Sequence, residues 1–176
     1  VTMKDPTSQW LVADFFVQDY HVSVRVHVRY HKLAGQLNDQ NTSFMQLQEV
    51  YISNVQRPAE IIANYMDSSL YKRNISAAVV NRREDGMLRE HAYGSYLGGY
   101  VYKTFIVVPA FEITGYLRLS SKLDMRTVLT TGTDDFIILM DGQMTSSIRP
   151  DVTFSGGAIL VNKAHIGALC ASAAEE

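Results

Sequence analysis

The stretch Asp135–Cys170, DFIILMDGQMTSSIRPDVTFSGGAILVNKAHIGALC, decides the fold, because a weaker copy of it stands earlier in the chain. Phe44, Leu47 and the pair Arg57-Pro58 recur as Phe136, Leu139 and Arg149-Pro150, each 92 positions later, and Lys72 and Ile75 recur as Lys163 and Ile166 after 91. The chain reads as one unit written twice. Within the stretch, FIILM (136–140) is an unbroken apolar run of strand length, expected inside a sheet. Gly142 after Asp141 and Ser155-Gly156-Gly157 read as turns, the latter opening a last hairpin.

Working outward, the clearest local signal is Tyr20–His31. Its even positions are Tyr20, Val22, Val24, Val26, Val28 and Tyr30, and its odd ones are His21, Ser23, Arg25, His27, Arg29 and His31. Successive strand residues face opposite sides, so this is a half-buried strand with a valine wall and a basic wall. Trp10–Val17 (WLVADFFV) is a short apolar run expected to be a strand buried on both faces. KLAGQLN (32–38) places Leu33 and Leu37 at helical spacing, and Phe44–Ser53 returns to strand. AEIIANYM (59–66) reads as strand because its counterpart DVTF (151–154) looks extended. Leu70–Val80 holds two strands around a polar corner at Lys72–Asn74.

The second half repeats the plan. Tyr100–Val108 matches Trp10–Val17, and Phe111–Leu119 is aligned with Val22–Tyr30 at an offset of 89. Ser121 and Asp124 form a capping pattern ahead of a short helix at 125–129. Between the halves, 81–98 reads as a surface connection with a short helix at 87–91. The expected architecture is mainly β: a tail at 1–9, a five-stranded unit at 10–80, a connection at 81–98, a second five-stranded unit at 99–171 and a tail at 172–176. Each unit is barrel-like with one short helix, and the two pack as a pseudo-two-fold pair. Units of this size bury little alone, so pairing and further self-association are expected.

Composition narrows the function. The 176 residues are 47% hydrophobic and 19% charged, with a net charge of −2, so no global field draws in nucleic acid or an anionic membrane. One cysteine, Cys170, excludes an internal disulfide and fits a reducing compartment. No apolar run reaches the roughly 20 residues of a spanning helix. The first residues lack the layout of a signal peptide, so a cytoplasmic protein without membrane contact is expected.

Candidate chemistry is sparse. Arg25, His27, Arg29 and His31 make a basic strip that suits phosphate, although a solvated sheet face explains the same alternation. His27 and His31 lie about 13 Å apart along a strand, too far to share one ion without other ligands, so no metal is expected. Tyr93, Tyr96 and Tyr100 among glycines are candidate partner contacts, or simply pack a loop. Asp134, Asp135 and Asp141, with Glu49 matching Asp141, have no nucleophile or base beside them, so no catalytic set is expected. Cys170, among Leu169 and Ala171, reads as a buried thiol. No phosphate-loop or dinucleotide fingerprint is present, and no cofactor is expected.

The end of each unit resembles the second signature of Sm-like proteins of the Hfq type. Phe136–Met140 (FIILM) followed by Val161-Asn162-Lys163-Ala164-His165-Ile166-Gly167, and Leu70-Tyr71-Lys72-Arg73-Asn74-Ile75-Ser76 in the first copy, carry the likeness. Leu33–Asn38 and Phe44–Leu47 are also similar to a bacterial repeat family of uncharacterised role. The resemblance implies small barrels whose lysine and histidine corners line a shared pore and touch RNA. On that basis Lys72, Asn74, Lys163 and His165 join the basic strip as candidate ligand or RNA contacts. The leading expectation is a non-enzymatic assembly module, a homo-oligomer. RNA or nucleotide binding is the alternative, and RNA or another protein the candidate partner.

Overall fold

The computed structural model describes residues 8–29, 32–87 and 99–173. In the first half, β1 (Gln9–Val17) and β2 (Tyr20–Val28) form a hairpin and α1 (Lys32–Asn38) follows. A second hairpin, β3 (Phe44–Asn54) and β4 (Arg57–Tyr71), leads through a 3₁₀ turn at Lys72–Asn74 into β5 (Ile75–Val80). After α2 (Arg83–Gly86) come β6 (Tyr100–Val108), β7 (Phe111–Leu119), α3 (Met125–Thr130), β8 (Phe136–Ser146) and β9 (Thr153–Asn162). A 3₁₀ turn at Lys163–His165 and β10 (Ala168–Ala173) complete the fold. The chain is therefore mainly β, and both halves run through the same order of elements.

All ten strands join one antiparallel sheet in the order β10-β6-β7-β8-β9-β5-β1-β2-β3-β4. In each half the fifth strand pairs with the first, and the halves meet where β5 pairs with β9, from Ala77↔Val161 to Val80↔Ala158. A two-fold would join like strands. This junction joins the fifth strand of one half to the fourth of the other, so it does not display the pseudo-two-fold expected from the sequence.

Alternation explains why these segments are strands. Val22, Val24, Val26 and Val28 are buried on one face of β2, and each such side chain contributes about 1.5–3 kcal/mol by leaving water. β5 and β9 differ from β2 in contributing to two cores, as do β1 through Phe15 and Phe16 and β8 through Met140 and Leu139. Ala78, Val80, Ala158 and Leu160 lie in a first core with Leu33 and Leu37 of α1. Ala77, Val79, Ile159 and Val161 lie in a second with Ile113 and Leu139. All six residues of β5 are buried as a result.

β3 and β8, equivalent strands of the two halves, each carry a bulge. Glu49 and Asp141 have φ of 48° and 49°, and there the β2–β3 and β7–β8 registers shift, two residues facing one. Asp141-Gly142 is thus a kink inside β8 and not a turn. Ser155-Gly156-Gly157 lies inside β9 for a steric reason. A Cβ at Gly156 would sit 2.3 Å from the Val80 carbonyl oxygen, and one at Gly157 2.6 Å from the Arg83 nitrogen. The connection leaving β5 crosses β9 at these glycines, and Gly157 donates to the Asn81 carbonyl at 2.9 Å.

Other expectations shift in detail. β1 is buried on both faces only at Phe15 and Phe16; nearer its start Trp10 is 47% and Val12 56% exposed, opposite the buried Leu11 and Ala13. Equal hairpin pairing, Val17↔Tyr20 and Val108↔Phe111, sets the offset between β2 and β7 at 91 in place of 89, a two-residue slip that leaves every face unchanged. Asp124 itself caps α3, accepting from the Arg126 and Thr127 amides. A short helix, α2, stands at Arg83–Gly86, and the helix expected at 87–91 lies, apart from Met87, outside the described residues, as does the rest of that connection. Cys170 is exposed and not buried, because β10 is the last strand of the sheet. No helix of the described residues is long and apolar enough to cross a membrane.

Candidate functional site

Antiparallel pairing of β5 with β9 sets the two polar corners side by side. The His165 Nε2–H donates to the Arg73 carbonyl at 2.7 Å, which leaves Nδ1 to accept from the Ser76 hydroxyl at 3.4 Å. Asn162, buried, donates to the Ile75 carbonyl at 2.9 Å and accepts from the Ala164 amide at 3.0 Å. His165 is therefore a stitch between the halves. Asn74 is exposed on the first corner.

Lys72 and Lys163 both line one cleft of about 710 Å³ at this junction, together with Arg73, Asp39, Asp134 and Asp135. Lys72 is buried, and its ammonium donates to the Asp39 carbonyl at 2.8 Å and to the Thr42 hydroxyl at 2.7 Å. Burial pulls its pKa below the usual lysine range, while Asp39 and Asp135 push the other way. The lysine thus holds the loop between α1 and β3. Lys163 donates to the Thr131 carbonyl at 3.4 Å. Three cations face three aspartates in the cleft, a formal balance of zero, so it attracts no polyanion by charge alone.

The basic strip is largely engaged. Arg25 pairs with Glu49 at 2.6 Å and lies 5.4 Å from the centre of the Trp10 ring. His27 packs against the same ring, with centroids 5.0 Å apart. His21 bridges Asp14 at 2.6 Å and Ser53 at 3.2 Å, and stacks on Phe16. Arg29 is exposed beside an adjoining hollow that shares Asp39 and Asp134 with the cleft. Arg25 and His27 are thus brought together around Trp10, whereas Lys72 and Lys163 meet elsewhere. His31, Tyr93 and Tyr96 lie outside the described residues, and Tyr100 is exposed at the start of β6. Among the described residues there is no group of three or more side chains able to hold a metal.

Sequence reasoning expects open strand edges to supply contact surface but does not place one at β4. Among the described residues β4, 15 residues long, pairs only with β3, and its Ile61, Ile62, Tyr65 and Met66 are 58–66% exposed. A signal was present: in IIANYM the apolar residues come in adjacent doublets, which on a strand puts one on each face. A long apolar edge with unpaired backbone groups is a template for another strand. No family model matches this chain, and neither a curated protein nor a solved structure is found to be similar to it.

Proposed function

We propose that this chain is a non-enzymatic, self-associating module built of two copies of one small barrel-like unit of Sm-like type. The observation that carries this reading is the unpaired β4 edge. Four large apolar side chains stand exposed along its middle. Pro58 with the Arg57–Glu60 pair flanks them at one end and Asp67 at the other, so the charge and proline that ordinarily blunt an edge leave this part of it open. The duplicated order of elements and the bulges 92 residues apart support a doubled unit. Absolute mass by light scattering tests the proposal. A defined multiple of the 19.8 kDa chain is expected, and a monomer at every concentration would remove it.

A second reading, RNA or nucleotide binding, draws on one observation, the meeting of Lys72, Arg73 and Lys163 in a single cleft. Exposed Arg29 and Asn74 would add contacts outside it. Binding of U-rich and A-rich oligomers across a salt series tests it, since phosphate contacts give a slope of affinity on salt. Absence of binding at low salt would dismiss this reading and leave the first intact.

A further inference from the structure

We infer that copies of this chain join head to tail, β10 of one against β4 of the next, in the register of the internal β5–β9 junction. The inference rests on the self-association proposed above and deepens it by naming the surfaces. Its ground is that the same elements are covered at the junction and bare at the ends of the sheet.

Equivalence between the halves follows from pairing alone. β5 pairs Ala77 with Phe16, and β10 pairs Ala168 with Val107, both 91 residues on. β9 pairs Val161 with Ile137, and β4 pairs Leu70 with Met45, residues 91 and 92 apart. The burial contrast is then direct. Every residue of β5 is buried and none of β10 is; Ala158–Asn162 of β9 are all buried and none of β4 is. Helix α1 buries Leu33 and Leu37 in the core that holds Phe136 and Met140 of β8, whereas α3 buries no residue. Two strands and one helix therefore lack only the neighbour that their counterparts have.

Transferring the junction register by 91 residues sets Ala168, Leu169, Cys170 and Ala171 opposite Leu70, Ser69, Ser68 and Asp67 of the next copy. Unlike surfaces meet, so the contact is heterologous and propagates into a closed ring or an open filament, never a symmetric dimer. It is also the wetter contact. Ala158 and Leu160 at the junction are replaced by Asp67 and Ser69, and Asn162 and His165 by Tyr71 and Asn74. Copies consequently separate under conditions that leave the two halves joined.

Cys170 is the only cysteine and provides the test. Directly opposed residues on antiparallel strands lie about 4.5–5.5 Å apart at Cα, within disulfide reach. Ser68→Cys is oxidised with copper-phenanthroline and run on a denaturing gel without reductant, beside wild type and Ile62→Cys. Residue 62 lies six positions along β4, about 20 Å from residue 68. A ladder of dimer, trimer and higher species from Ser68→Cys alone, reversed by reductant, is the expected result. Oligomers in light scattering with no ladder, an equal ladder from Ile62→Cys, or full conversion of wild type to a Cys170-linked dimer would each overturn this register and leave self-association standing. A reduced Ser68→Cys protein and wild type that are both monomeric would overturn the self-association itself.

Discussion

Asn162 and Ile75 are tied across the two halves: the Asn162 side-chain amide donates to the Ile75 backbone carbonyl at 2.9 Å, from a residue only 3% exposed. The same side chain accepts from Ala164, so one asparagine fixes both the start of β5 and the turn after β9. Asn162→Ala removes both bonds in a buried place, where unmet polar groups cost about 1–3 kcal/mol each. Urea unfolding should show a loss of about 2–3 kcal/mol. A loss under about 0.5 kcal/mol would mean that water takes over these bonds and that the stitch is not structural.

Glycine substitutions should separate crowding from backbone strain. Gly156→Ala forces a methyl group against the Val80 carbonyl, 2.3 Å away, and the backbone cannot yield without breaking the crossing of β9. Gly132→Ala meets nothing within 4 Å, but sits at φ 89°. Overpacking against backbone should cost about 3 kcal/mol or more, and the unfavourable φ about 1–2 kcal/mol. Denaturation midpoints of the two variants check the order, and equal losses would refute the steric account.

Some of this was legible in the chain because it is local. The valine alternation of 22–28 gives a strand whatever it packs against, and the Leu33/Leu37 pair gives a helical turn. The recurring corner at Lys72 and Lys163 marks the same turn twice. What the chain hid depends on distant partners. β5 (ISAAVV) and β10 (ALCASA) are alike in composition, yet one is buried on both faces because 158–161 lies beside it and the other is bare. Lys72 reads as a solvated corner residue, since lysines are seldom buried, and only the carbonyl of Asp39 and the hydroxyl of Thr42 reveal its structural task. Trp10 stands in an apolar run that reads as core, but sequence does not show which face of β1 the rest of the fold leaves uncovered.

The pairing of Arg83 with Asp141 should give the fold part of its acid sensitivity. The arginine of α2 holds the carboxylate at the β8 bulge below the usual aspartate range, chiefly by hydrogen bonding. A depressed folded pKa adds stability that is whole above the unfolded value near 3.8 and is lost as pH falls through the folded value. Asp141 is about half exposed, so the gain is no more than about 1 kcal/mol. Asp141→Asn, which still suits the left-handed backbone there, should be less stable than wild type at pH 7, and the gap should close as pH falls through the folded value. Urea midpoints at several pH values measure the gap, and a gap that widens on acidification would refute the assignment.

Charge placed on the open edge should block assembly without harming the fold. In the register inferred above, Tyr65 and Met66 would face Ala173 and Ser172 of the next copy, and both are more than 60% exposed in the single chain. Lysine on an edge strand is how sheets ordinarily resist pairing, because a charge must be desolvated before a new strand can add. Tyr65→Lys combined with Met66→Lys should therefore shift light scattering toward the single chain. Unfolding free energy of that chain should move by about 0.5 kcal/mol or less per site, as for exposed positions generally. If the double variant keeps its mass, the β4 edge does not join copies. If it loses mass and also unfolds readily, these side chains support the monomer's own sheet, and the edge is part of the fold in place of an interface.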